Sequence, residues 1–203
     1  MKLNLGCGNQ TPQGWTNVDY ALGARLMKLP MFRAINSRMK LFDLDWDPGI
    51  YVHDLTKRFP WRDSSVDVIY SSHTLEHFSI EEGRSFLSEC RRVLCENGII
   101  RLVVPDLRHY ISEYTEGRTK AYHFIEQLGV LHDNRKNTPK SIFSAFCSFP
   151  HKCMYDESAL IDVLNQIGFD VSPKAVFDSE IEGIRLIELM DRAENAVIVE
   201  GHK

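Results

Sequence analysis

Lys2-Leu3-Asn4-Leu5-Gly6-Cys7-Gly8 reads as a short strand that runs straight into a glycine turn, and the next apolar stretch, Trp15-Thr16-Asn17-Val18, ends on an acid, Asp19. Strand, glycine turn, strand, acid is the order in which a parallel α/β sheet builds a nucleoside site. The glycines let a ligand approach the backbone with no Cβ in the way. The acid can accept hydrogen bonds from both hydroxyls of a ribose. A third short strand, Tyr51-Val52-His53, ends on Asp54, which can accept from the exocyclic amine of an adenine. These three points predict an adenosine pocket at neighbouring strand tips.

Outward from that stretch, apolar strands alternate with helical patterns. Val66 to Tyr70 reads as a strand. Ser79-Ile80-Glu81-Glu82 is a capping box, a hydroxyl followed three residues later by a carboxylate. Behind it Phe86, Leu87, Cys90, Val93 and Leu94 share one helical face, and Asn97-Gly98 is the expected stop. Ile99 to Val104 is an apolar run broken only by Arg101, as in a strand buried on both faces. Two helical segments are expected between Leu107 and His132, split near Gly117. A helix follows behind the cap Asp156 and stops at Gly168. A strand near Val171 to Phe177, a helix near Ile184 to Arg192 and a strand from Ala196 to Glu200 complete the pattern. The fold class is therefore α/β: a Rossmann-like, doubly wound, mostly parallel seven-stranded sheet with a small helical or loop cap. The last strand is expected inside the sheet. Residues 1–203 are read as one domain, with insertions 21–50 and 107–155 as lid and acceptor-site elements.

Composition narrows the function classes. At 203 residues the chain can bury a sizeable core. With 43% hydrophobic and 26% charged residues it fits an ordinary globular protein. A net charge of -4 argues against general nucleic-acid binding, which needs a basic field. No apolar run is long enough for a transmembrane helix, and residue 3 already falls in a strand rather than a leader. The five cysteines are scattered, with no C-x-x-C pair, which leads us to expect a reduced, cytoplasmic setting.

Taken together, these motifs resemble the class I S-adenosylmethionine-dependent methyltransferases. Residues Leu3 to Gly8 and Gly14 to Asp19 are similar to that family's first two motifs, and His53-Asp54-Leu55 with Phe59-Pro60-Trp61 to the third. Ser65 to His77 resembles its fourth strand and loop. Glu89 to Leu94, Asn97-Gly98 and Val104-Pro105-Asp106-Leu107 resemble the following helix and fifth strand. Leu164 to Phe169 is similar to its late helix. The subgroup most resembled is the type 11 methyltransferase domain. Two departures stand out: Asn4 replaces the usual acid of the first strand, and Gln10 stands near the place of a third glycine. Only ten residues separate Gly8 from Asp19, so the helix between the first two strands must be one turn or missing.

The resemblance implies S-adenosylmethionine as methyl donor and S-adenosylhomocysteine as product. Gly6, Cys7 and Gly8 would give close approach to the methionine and ribose, and Asp19 with the adjacent Tyr20 would take the ribose side. Asp54 would take the adenine amine and Leu55 pack on the ring, with Ser71, Ser72 and His73 on the rim of the fourth strand. His73 is the first candidate general base, because an imidazole titrates near neutral pH. His132 and His151 come next. The expected acceptor is a small molecule or glycan, methylated on oxygen or nitrogen. The competing reading is a non-catalytic protein that binds the donor to regulate or scaffold a partner. A nicotinamide-dependent oxidoreductase is disfavoured, since neither the third glycine nor the spacing of about twenty residues to the acid is present.

Three further signals are weighed against plainer explanations. His73-x-x-Glu76-His77 has the bare spacing of a zinc-protease helix but follows a strand end. A divalent metal at this loop is set against Glu76 and His77 orienting the loop by hydrogen bonds. The second reading is taken, and no metal is expected. Residues 21–40 hold Arg25, Lys28, Arg33, Arg38 and Lys40 with no acid among apolar side chains. They read as a helix covering the sheet edge, or as a basic lid in weak contact with a membrane surface or anionic substrate. The aromatic residues Phe143, Phe146, Phe149 and Tyr155 pack a small cap or stack on a sugar.

Overall fold

The computed structural model describes residues 1–32, 38, 46–130 and 150–203. Its centre is a seven-stranded sheet formed by β1 (Lys2–Leu5), β2 (Thr16–Asp19), β3 (Tyr51–Val52), β4 (Val66–Ser72), β5 (Leu94–Pro105), β6 (Asp170–Pro173) and β7 (Ala196–His202). The strand order is β3-β2-β1-β4-β5-β7-β6. β1 to β5 run parallel, whereas β7 lies antiparallel between β5 and β6. The expected mostly parallel, doubly wound sheet is thus observed, with the last strand inside it.

From β1 the chain winds outward through β2 to β3, then returns to β4 on the other side of β1. That reversal opens a crevice at the carboxyl ends of β1 and β4, where ligands bind in open α/β sheets.

The helices follow local chemistry. α1 spans Leu22–Met27. α2 (Ile80–Val93) starts at the Ser79 capping box, with Glu82 bonded back to the Ser79 N–H, and buries Phe86, Leu87, Cys90 and Val93. α3 (Leu107–Thr115) and α4 (Ala121–Gln127) flank Gly117, whose φ of 74° breaks the helix. α5 (Glu157–Ile167) is capped by Asp156 and ends at left-handed Gly168. α6 is the single turn Met190–Ala193. Leu3, Leu5, Ile69, Leu87, Leu102, Leu160 and Leu164 form the larger core on one face of the sheet. Tyr70, Val103, Ile181, Ile184 and Ile187 form the smaller core on the other.

As the short spacing between Gly8 and Asp19 requires, no helix separates β1 from β2. Three boundaries differ from the sequence reading. α2 stops at Val93, before Asn97-Gly98. The β4–β5 register jumps from Val66↔Leu94 to Val68↔Ile99, and Asn97 sits at φ 62° inside that irregularity. The expected 171–177 strand closes at Pro173, with Phe177 left-handed. The expected 184–192 helix becomes a 3₁₀ turn, Ile184–Leu186, followed by α6. The cause of the last is Glu188. Its carboxylate is drawn into the core by Arg101 (2.8 Å) and accepts from the Phe177 N–H.

Candidate functional site

A cavity of about 460 Å³ opens at the carboxyl ends of the parallel strands, and Gly6, Gly8, Asp19, Asp54 and Leu55 all line it. The glycine turn is held by the Gly6 and Cys7 N–H groups, which donate to the Val18 carbonyl at 2.9 and 3.0 Å. Gly6 has φ 72°, and a Cβ there would fall 2.0 Å from Thr74 Oγ1. No larger residue fits. Gly8 has open space where a Cβ would stand, so its backbone faces outward unobstructed. Asn4 Nδ2 donates to the Gln10 carbonyl and to Asn17 Oδ1, both at 3.0 Å. The two departures from the family pattern thus have a shared use: Asn4 pins the turn at Gln10 in place of a helix.

Asp19 is aimed by its own neighbours. Oδ2 accepts from Gly8 N–H at 2.8 Å and Oδ1 from Ala21 N–H at 2.7 Å. Each oxygen keeps acceptor capacity for a second donor. Asp54 Oδ1 accepts from the Thr56 N–H (3.0 Å) and hydroxyl (2.7 Å). Burial pushes this carboxyl up, but the Thr56 bonds and the charge of Lys57 hold it below its usual range. Tyr20 lies in the lining with the Arg25 guanidinium 4.8 Å from its ring centroid.

Three predicted residues lie behind the wall rather than in it. Cys7 is buried, with its Sγ on the Gly8 carbonyl. Burial and the neighbouring Asp19 push its thiol up to about 12. Ser71 Oγ donates to the Leu5 carbonyl at 3.0 Å and bolts β4 to β1. Ser72 is likewise buried. None of the three belongs to the cavity lining, because the strand pleat and the turn direct them into the sheet. Thr74, which the sequence reading did not single out, lines it instead, as do Trp46, Thr56, Phe78 and Arg192.

The other wall is cationic and histidine-rich: His73, His77, Lys152 and Arg192. His73 sits at φ 51°. Its Nε2–H donates to the Arg192 carbonyl at 2.8 Å, and its Nδ1 lies 3.3 Å from Glu76 Oε1. Burial pulls this imidazole down, but Glu76 and the Arg192 carbonyl outweigh it and hold it above its ordinary value. Both ring nitrogens of the first candidate base are therefore engaged. His151 is not in the lining. It packs edge-on to His77 (5.0 Å between ring centroids), and its Nδ1–H donates to the Leu128 carbonyl. Burial keeps it below the usual histidine range.

Glu76 is fully buried; its Oε1 meets only the His73 imidazole, at 3.3 Å, and its Oε2 has no hydrogen-bond partner among the described residues. Its backbone also ties the loop, accepting from the Lys152 and Cys153 N–H groups at 2.8 and 3.1 Å. His77 Nδ1 meets the Pro150 carbonyl at 3.5 Å. His132, Phe143, Phe146 and Phe149 lie outside the described residues, as do most of residues 33–45 of the basic insertion. Among the described residues no helix is long and apolar enough to cross a membrane.

Residues 3–102 match the family model described as a methyltransferase domain. The fold is similar to that of an S-adenosylmethionine-dependent methyltransferase from Archaeoglobus fulgidus (TM-score 0.52, 15% identity, covering 100% of this chain and 85% of that one). It is also similar to the PH0226 protein of Pyrococcus horikoshii OT3 (TM-score 0.56, 14% identity, 99% and 80%). A third likeness is to the structure of the Haloferax volcanii Trm112 methyltransferase activator with its methyltransferase (0.51, 14%, 99% and 81%). None of the curated proteins matches the chain.

Proposed function

We propose, from the premise that this chain is a class I S-adenosylmethionine-dependent methyltransferase, that it methylates an oxygen or nitrogen of a small-molecule or glycan acceptor. The observation that carries the reading is one cavity with two unlike walls. Asp19 and Asp54 stand beside the bare turn Gly6–Gly8, and His73, His77, Lys152 and Arg192 line the same space. The first wall suits the adenosine half of the donor. The second suits an acceptor bearing a carboxylate or phosphate, because Arg192 brings positive charge to it, with Lys152, held by Glu82 at 2.9 Å, beside it.

In the reaction, a lone pair of the acceptor forms a bond to the methyl carbon as the C–S bond breaks. The electron pair goes to sulfur, and the sulfonium becomes a neutral thioether. The leaving group is good, so the protein's task is alignment, worth roughly 7–11 kcal/mol when donor and acceptor are held in line. A hydroxyl acceptor also sheds a proton. Neutral His73, its Nε2–H fixed on the Arg192 carbonyl, can take it at Nδ1, and the Glu76 carboxylate 3.3 Å away then stabilises the imidazolium that forms. His73 and Glu76 together also brace the loop after β4.

The test is turnover. The protein is incubated with S-adenosylmethionine and a panel of sugars, sugar phosphates and small carboxylic acids, and S-adenosylhomocysteine release is measured. Acceptor-dependent release is expected. Micromolar donor binding with no release for any acceptor would favour the regulatory or scaffolding alternative, and no donor binding would reject both.

A further inference from the structure

We propose that Glu76, His77 and His151 form a binding site for a divalent transition-metal ion of the zinc or manganese type. One donor atom from each side chain lies within 4.8 Å of the others. Ions of this class hold nitrogen and oxygen ligands at about 2.0–2.2 Å, so small side-chain rotations bring the three to one centre. The strongest sign is Glu76. It is a fully buried carboxylate whose Oε2 has no partner among the described residues and whose Oε1 meets only the His73 imidazole, and such a group is costly unless a cation completes it.

The two histidines are prepared as ligands. His151 Nδ1–H donates to the Leu128 carbonyl at 2.8 Å, and His77 Nδ1 faces the Pro150 carbonyl. A carbonyl only accepts, so each ring carries its lone pair on Nε2, the arrangement by which protein carbonyls fix metal-binding imidazoles. The backbone brings the ligands together from distant parts of the chain. The His151 N–H donates to the Gly129 carbonyl, and the Lys152 and Cys153 N–H groups donate to the Glu76 carbonyl. Gly129 has φ 65°, and a Cβ there would lie 2.8 Å from the His151 ring, so glycine is what leaves that ring its seat. His73, 3.3 Å from Glu76 Oε1, acts as a positioning residue.

Two imidazoles and a carboxylate select first-row divalent ions over calcium or magnesium. Three protein ligands leave at least one position for an outside oxygen, and His77 lines the cavity. The use of the ion rests on the function proposed above: it would hold an acceptor oxygen at the wall opposite Asp19. Its binding does not depend on that function.

The untagged protein, stripped with a chelator, is titrated with cobalt(II) and zinc(II) without donor or acceptor. One equivalent of cobalt should bind with visible d–d bands and be displaced by zinc. His151→Ala and His77→Ala should each weaken binding by about ten-fold or more, with unchanged circular dichroism. Gly129→Val should weaken it with all ligands present. No binding up to about 1 mM, or affinity unchanged from the unsubstituted protein in both histidine variants, would overturn the site. Donor affinity, measured separately by calorimetry, reports on the methyltransferase reading, so either idea can fail alone.

Discussion

In the proposed donor site, single residues decide. Asp19 has two backbone donors that aim it, and each oxygen keeps acceptor capacity that the proposed ribose contact would use. Asp19→Ala should therefore weaken S-adenosylmethionine binding by about 1.5–3 kcal/mol, the worth of hydrogen bonds to a charged group. By calorimetry that is roughly ten- to hundred-fold in dissociation constant, and an unchanged constant would remove Asp19 from the site. Gly6 is constrained twice, by φ 72° and by Thr74 Oγ1 at 2.0 Å from any Cβ. Gly6→Ala should lower the melting temperature and abolish donor binding, and Thr74→Ala in the same chain should restore only part, since the backbone strain remains. The two acids and the glycine turn were legible in the sequence because each lies at the end of a short strand beside its turn. Arg192, Trp46 and Lys152 were not, because they reach the cavity from segments whose own patterns say nothing about where they dock. Ser71 and Ser72 misled for a local reason: being at a strand's end does not say which way the pleat turns a side chain.

At the scale of elements, caps were the most reliable signal. Ser79 and Glu82 close α2 as a reciprocal box, and Asp156 closes α5 by accepting from Ala159 N–H and Ser158 Oγ, each at 2.8 Å. With Arg108 adjacent, these bonds lower the Asp156 carboxyl to about 2 from an ordinary 3.8. A depressed acid stabilises the fold above its unfolded value, and that contribution is lost as pH falls through the folded one. Asp156→Ala should thus cost about 1 kcal/mol near pH 7. The gap between the two proteins in urea unfolding should narrow from about pH 4 downward and close near pH 2. A gap that persists at pH 2 would point to lost packing rather than the cap. Elements without caps were harder to read. Residues 184–193 carry apolar spacing suited to one helix, yet Glu188 is claimed by Arg101, 87 residues away in sequence, and the helix breaks into two turns. Long-range charge pairing overrides local periodicity here, and nothing in the periodicity announces it.

Across the whole molecule, the sheet is tied together by that same buried ion group. Arg101, on β5, pairs with Glu188 at 2.8 Å and with Glu200, on β7, at 2.9 Å, all three side chains being fully buried. It also donates to the Asp178 and Ala175 carbonyls. Ser179 Oγ donates to Glu200 as well. The guanidinium thus fastens the 175–188 segment to the middle of the sheet, and α6 with Arg192 follows directly from that segment into the cavity wall. Arg101→Met leaves buried Glu188 without a cation and Glu200 with only Lys174, 3.9 Å away, a change that costs about 3–5 kcal/mol in comparable buried pairs. The triple change Arg101→Met, Glu188→Leu, Glu200→Met removes all three charges together and should recover most of that stability, because an apolar replacement of similar volume is often neutral or better. The segment 175–188 would then lose its anchor without the sheet losing its core. Urea unfolding should show a large loss in the single variant and near-native stability in the triple one. Calorimetry should show donor affinity retained in the triple variant, since Asp19, Asp54 and the glycine turn lie on the other side of β4. If the triple variant is no more stable than the single, the ion group contributes geometry that apolar packing cannot replace.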